Sequence, residues 1–205
     1  MTIPYGVRIL IKPNVTVTFS VGVSVMGNLE MKEKTTINSD YIVITGSSGT
    51  FETSGTSSAR NNVNISNYGE LAVGGFLNGK YTTFNFGNRS YCRISQSGRI
   101  YMDEYNHMRW TPVPGTTYSY NTYNSVFQGN GEKGSWNGFI VENMNSSNAL
   151  EYLHIRDAVA GISYSNSRTS IRNNSIVNCN RAMEFYNNSV VNNVTGNIFY
   201  ANGEN

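Results

Sequence analysis

The chain has 205 residues, a formal net charge of +2 and only 14% charged residues, while Asn alone fills 30 positions. Lys and Arg are scattered, with no basic stripe interleaved with aromatics, which argues against a nucleic-acid partner. No apolar run reaches the length of a membrane-spanning helix, and 39% hydrophobic residues set in alternation argue for a packed interior over disorder.

In chain order, Met1–Ile11 lacks the small-residue cleavage site of a signal peptide, as a secreted protein in mature form also would. Residues 1–20 read as an entry strand or cap, with VRILIKPNVTVTF at Val7–Phe19. An eleven-residue pattern then occurs three times within 21–102: VGVSVMGNLEM (Val21–Met31), VNISNYGELAV (Val63–Val73) and CRISQSGRIYM (Cys92–Met102). Each copy has an apolar pair at alternate positions, a Ser, a Gly three residues later and a second alternate pair. Alternation with period two predicts strands, and the Gly between them predicts a corner where the backbone needs freedom. Two strands around a corner, repeated in tandem, predict the rungs of a solenoid, roughly ten in this length. Cys92 takes the place of Val21 and Val63 and is expected inside as a small hydrophobe.

The repeat breaks at 103–121, DEYNHMRWTPVPGTTYSYN. This segment holds the only adjacent acids (Asp103, Glu104), together with Tyr105, His107, Arg109 and Trp110. Sugars are commonly held by aromatic faces flanked by polar groups, so Tyr105, His107, Arg109 and Trp110 are the candidate glycan site. The competing reading is a flap that uses its aromatics as packing area. A strand over Thr122–Phe127, a Gly-rich turn at Gly129–Gly134 and Trp136 follow.

Residues 122–202 carry a second phrase: GFIVEN (Gly138–Asn143), GISYSN (Gly161–Asn166) and AMEFYN (Ala182–Asn187). Stacking them places Val141, Tyr164 and Phe185 inside and Asn143, Asn166 and Asn187 in a corner column, where Asn tolerates left-handed backbone. A second register pairs Leu150 with Ile155, Ile171 with Ile176 and Val194 with Phe199, and sets Asn174 over Asn197. The same alignment puts Asp157 over Asn178, Glu151 over Arg172 as an outward ion pair, and Glu184 over Ser163 and Ile140. His154, over Ser175 and Ile198, reads as an outward surface residue. No two carboxylates share a column there, so no catalytic residue and no metal ligand set is assigned, and no cofactor is expected. Cys179 aligns with Ala158, far along the chain from Cys92, and two free buried thiols are expected. The expected interior comprises Val23, Val25, Leu29, Ile65, Leu71, Val73, Ile94, Ile100, Phe139, Val141, Ile162, Tyr164, Ile176 and Phe185.

Ile171–Asn188 and Leu150–Asn166 resemble the repeats of right-handed parallel β-helix proteins of the pectate-lyase-like superfamily, and Val7–Phe19 is similar to their entry rung. The resemblance implies an all-β, right-handed parallel β-helix with about three short strands per rung. It also implies an extracellular or cell-surface location, but it does not choose among lyases, hydrolases, adhesins and inert surface proteins. The expected function is a non-catalytic structural protein that stacks head to tail with itself, through a last rung containing Val194, Ile198, Phe199 and Tyr200. A glycan-binding or adhesin module with surface glycans as partners is the alternative, followed by a polysaccharide lyase or hydrolase using Asp103, Glu104, His107 and Arg109. Seven sequons, at Asn14, Asn64, Asn88, Asn145, Asn173, Asn187 and Asn193, permit glycosylation. Whether the native chain extends past Asn205 stays open at this point.

Overall fold

The computed structural model describes residues 1–46, 48–56, 58–94, 98–102, 125–144 and 149–203. Among them every regular element is a β-strand, and every ladder between these strands is parallel. The chain winds as a solenoid of about eight turns, each crossing three faces in the same order. The first turn uses Thr2–Ile3, Arg8–Ile11 and Thr16–Phe19, so the entry segment supplies a strand to all three faces. The last uses Arg181–Tyr186, Val190–Thr195 and Ile198–Tyr200. Two longer strands, Thr36–Ile44 and Asn61–Val73, bend around the corner from the third face to the first and pair on both. The second face is divided into a five-stranded sheet ending at Arg99–Met102 and a three-stranded sheet starting at Ala149–Glu151. The turns number fewer than ten because their spacing is uneven. Hydrogen-bonded neighbours are 21 residues apart at Asn64–Asn85 and 43 apart at Thr82–Ser125, where 103–124 intervenes.

Alternation builds these elements as its period requires. In Asn61–Val73, buried and partly buried residues alternate up to Ile65, three exposed corner residues follow, and alternation resumes at Gly69. Val63 and Ile65 thus fill the core from one face, and Leu71 and Val73 from the next. The other two copies of the eleven-residue pattern turn a different corner, from the first face to the second. Cys92 therefore stacks on Leu71, Ile42 and Val23, with Phe139 beyond it, and not on Val21 or Val63. Val21 is 63% exposed. The period-two pattern could not distinguish registers two residues apart, although the inward placement of Cys92 holds.

The glycines of the three eleven-residue copies are needed for close approach and not for left-handed backbone. None of Gly27, Gly69 and Gly98 has a positive φ. A Cβ on them would lie 2.2, 2.2 and 1.9 Å from the carbonyl oxygens of Val7, Asp40 and Val73, in the turn beneath. Among non-glycine residues the left-handed positions fall most often to Asn and Asp, including Asn143, Asn166 and Asn187 at φ of +55°, +47° and +47°.

In the second half the register is the one expected, with Phe139 on Ile162 on Met183 and Val141 on Tyr164 on Phe185. Leu150, Ile171 and Val194 stack on the second face, and Ile155, Ile176 and Phe199 on the third. The expected interior residues are buried except Phe185, which is 49% exposed. It belongs to the last turn and stacks on Tyr164 from one side only, with ring centroids 5.4 Å apart. Both cysteines are free and buried, and burial pushes the Cys179 thiol up to about 11.

His154 has the expected register but is buried, not at the surface. The entry to the third face is a buried corner, shared with Asn61, Thr82, Ser125, Asn174 and Ser175. Burial, with a smaller contribution from Arg156, holds the imidazole down at about 3. The folded protein thus keeps His154 neutral where the unfolded chain, at about 6.5, takes up a proton. Stability is fully present above pH 6.5 and falls as the pH drops toward 3, by at most about 1.4 kcal/mol per pH unit from this group. Urea unfolding of the wild type and of His154→Leu between pH 7 and pH 4 is expected to show the steeper loss in the wild type.

Polar side chains tie the turns together. Asn174, fully buried, accepts the Leu153 N–H at 2.9 Å and donates to the Leu150 carbonyl at 2.8 Å, while Asn197 repeats this one turn on. Outside, on the third face, Asn38, Asn64, Asn85 and Gln128 form an amide ladder with steps of 2.8, 2.7 and 3.0 Å.

Candidate functional site

A parallel solenoid satisfies the backbone of each turn through the turns on either side, so its end turns present unpaired strand edges. Among the described residues Arg181–Tyr186, Val190–Thr195 and Ile198–Tyr200 each pair with one neighbour only, as do Thr2–Ile3, Arg8–Ile11 and Thr16–Phe19 at the other end. The exposed large hydrophobic residues gather at these ends. Met1, Tyr5, Val7, Leu10 and Val15 lie in the first turn, and Phe185, Tyr186, Val190, Val194 and Tyr200 in the last. Among the described residues only Val21, Met26, Tyr41 and Tyr68 join them from elsewhere. Of the residues expected to form an assembly surface, Val194 and Tyr200 are exposed, and Ile198 and Phe199 half-buried, on the same turn.

The candidate glycan residues Tyr105, His107, Arg109 and Trp110, with Asp103 and Glu104, lie outside the described residues. Asn145 does too. Asn14, Asn88, Asn173, Asn187 and Asn193 are exposed at their sequons, whereas the Asn64 amide already donates to Asn38 within the ladder.

The sides of the solenoid carry charge clusters that the repeat alignment only partly anticipated. Arg172 pairs with Glu151 as expected, and Asn178, in the column expected for it, donates to Asp157 at 2.7 Å. In the N-terminal turns Glu30 and Glu52 do share a column. Lys32 and then Arg8 hydrogen-bond the Glu30 carboxylate and hold it below its ordinary range. On the first face Arg93 bridges Glu70 and Glu142, at 3.0 and 2.9 Å. Burial alone would raise the Glu184 carboxyl, but hydrogen bonds from Tyr186, Arg181 and Ser163 outweigh it and hold it low. Glu30, Glu70, Glu142 and Glu151 each pair with an arginine one turn away, which ties turns together. Among the described residues no group of three or more His, Cys, Asp or Glu side chains is placed to hold a metal ion.

A surface cleft of about 390 Å³ lies at the corner between the third and first faces, bounded by Asn67, Gly87, Asn88, Asn130, Lys133 and Ser135. On the same corner Arg89 sits over the ring of Tyr68, 5.7 Å from its centre. The sequence held a signal for this pair: Asn67-Tyr68 and Asn88-Arg89 each couple an Asn to a large side chain, one turn apart.

No protein-family model matches the chain, and no curated protein or solved structure matches it; what the structure shows is a parallel β-solenoid of about eight turns.

Proposed function

We propose that this chain is a non-catalytic structural protein, extracellular or displayed at a cell surface, whose last turn stacks on the first turn of a second copy. The observation carrying this reading is the concentration of exposed apolar side chains and unpaired parallel edges on the two end turns. The two ends are complementary in kind. Each offers three edges in the same face order and with the same strand direction, so a second copy prolongs all three ladders. The contact is heterologous and does not close on itself, which gives a filament and not a dimer. Low charge and amide ladders between turns suit a load-bearing rod, and the exposed sequons suit an extracellular setting.

Light scattering and negative-stain electron microscopy of the purified chain are expected to show rods that lengthen with concentration. Val194→Lys, which sets a charge on the exposed end of the Leu150–Ile171–Val194 column, is expected to yield monomers with an unchanged melting temperature. A monomeric wild type, or rods indifferent to Val194→Lys, would overturn the reading. Monomers would point to the end being covered by further polypeptide or by a different partner.

A further inference from the structure

We propose that Asn130-Gly131 is a site of spontaneous modification: Asn130 closes on the Gly131 nitrogen to a succinimide, which water opens to isoaspartate and aspartate. The fold leaves this pair reactive and protects the other three Asn-Gly pairs of the chain, at 78–79, 137–138 and 202–203. The proposal does not depend on end-to-end stacking.

Ring closure brings the glycine nitrogen onto Cγ, so the peptide between the two residues has to turn toward the side chain. A ladder or backbone bond that holds this peptide must open first, which lowers the rate by the population of the opened state. Three of the pairs are held in this way. Gly79 is buried within the second-face ladder, between Thr53 of one turn and Met102 of the next. Gly138 is buried and paired with Tyr91 on the first face, while Asn137 Nδ2 donates to the Arg89 carbonyl at 3.0 Å. The Gly203 N–H donates to the Cys179 carbonyl at 2.9 Å. The Asn202 amide is bound at both ends, accepting the Cys179 N–H at 2.9 Å and donating to the Ile176 carbonyl at 3.0 Å.

Asn130-Gly131 is open. Both residues are exposed, in the loop that leads from the third face to the first. Among the described residues neither the Gly131 N–H nor Asn130 Nδ2 has a hydrogen-bond partner. Nothing lies within 4 Å of a Cβ built on Gly131, so the peptide has room to turn. Asn130 Oδ1 accepts the Glu132 N–H at 3.1 Å. This bond makes Cγ more electrophilic, and its donor stays in place for the oxyanion of the tetrahedral intermediate.

Water is the only co-reactant. The Gly131 nitrogen gives up its proton and attacks Cγ, the N–Cγ bond forms, the Cγ–Nδ2 bond breaks, and ammonia leaves with a proton. Water then adds to one of the two imide carbonyls. Breaking the new N–Cγ bond restores the main chain as aspartate. Breaking the original peptide bond instead routes the main chain through Cβ, as isoaspartate. Either product places a carboxylate where the corner cleft had a neutral amide.

The test is incubation of the full chain at 37 °C and about pH 8, beside the same chain unfolded in guanidinium chloride. Both run until the unfolded chain has half converted, and peptides are then quantified by mass spectrometry with isoaspartate resolved from aspartate. In the folded chain Asn130 is expected to convert at least about tenfold faster than Asn78, Asn137 and Asn202, whereas unfolding removes the difference. Isoaspartate is expected among the products, because direct hydrolysis of the side-chain amide gives aspartate alone. Gly131→Ala, whose Cβ hinders the attack, is expected to slow Asn130 at least about tenfold and to leave the other three pairs unchanged. A folded chain in which Asn130 converts no faster than the other three would overturn the proposal. So would aspartate as the sole product, or a rate indifferent to Gly131→Ala.

Discussion

Gly138→Ala is expected to destabilise the protein by about 3–4 kcal/mol, the sum of overpacking and backbone strain. Gly138 starts a first-face strand at φ +96°, and a Cβ there would lie 1.7 Å from the carbonyl oxygen of Ala160 in the next turn. That oxygen is backbone within a parallel ladder, so it cannot move aside as a flexible side chain would. Gly131→Ala separates the two contributions. Gly131 has a similar φ of +99° but nothing within 4 Å of the added Cβ, so it should lose only about 1–2 kcal/mol. Urea denaturation of both variants is the measurement. Equal losses would show that turn-to-turn packing does not constrain the Gly138 corner.

Trp136→Ala is expected to cost about 3–5 kcal/mol, as for large aromatic truncations in packed cores. Trp136 is fully buried, stacks on Phe86 with ring centroids 4.3 Å apart, and meets Phe139 edge-on at 6.1 Å. Its indole N–H donates to the Arg156 carbonyl at 2.8 Å in the following turn. Trp136→Phe retains an aromatic stack but leaves that carbonyl without the indole donor, so a loss of about 1–3 kcal/mol is expected. The ordering Trp > Phe > Ala in unfolding midpoint checks both parts. If Phe and Ala proved equivalent, stacking on Phe86 would contribute nothing.

These two residues also show what was legible in the sequence. The small residue opening GFIVEN, GISYSN and AMEFYN was visible as a pattern, and in the fold Gly138 opens its first-face strand while Gly161 and Ala182 are the second residues of the strands stacked on it. That Gly138 is the member with positive φ could not be read, since it depends on how closely the next turn approaches. Trp136 read only as an aromatic after a Gly-rich turn. Its partners Phe86 and Arg156 sit in neighbouring turns, and nothing local in GSWNG specifies them. His154 was placed in the correct column yet on the wrong side, because the entry to the third face is a corner and strict alternation does not hold there.

Of the candidate sites, the last-turn residues Val194, Ile198, Phe199 and Tyr200 were legible because they occupy the final copy of a repeat. The cleft at the corner between the third and first faces was not. It forms where Asn67, Asn88 and Asn130 meet from three successive turns, across separations that vary with the length of the intervening corners.

By itself, the sequence determined the all-β class, the tandem rungs of a solenoid and the inward columns of the second half. Period-two alternation and, in the second half, a near-constant repeat spacing are local properties, and parallel stacking follows once equivalent residues must bury the same face. The tertiary structure decided which corner each eleven-residue copy turns, why its glycine is required, and which apolar residues are left exposed at the ends. Those outcomes depend on the distance between backbones in adjacent turns and on whether a turn has one neighbour or two, and neither quantity is written in any single repeat.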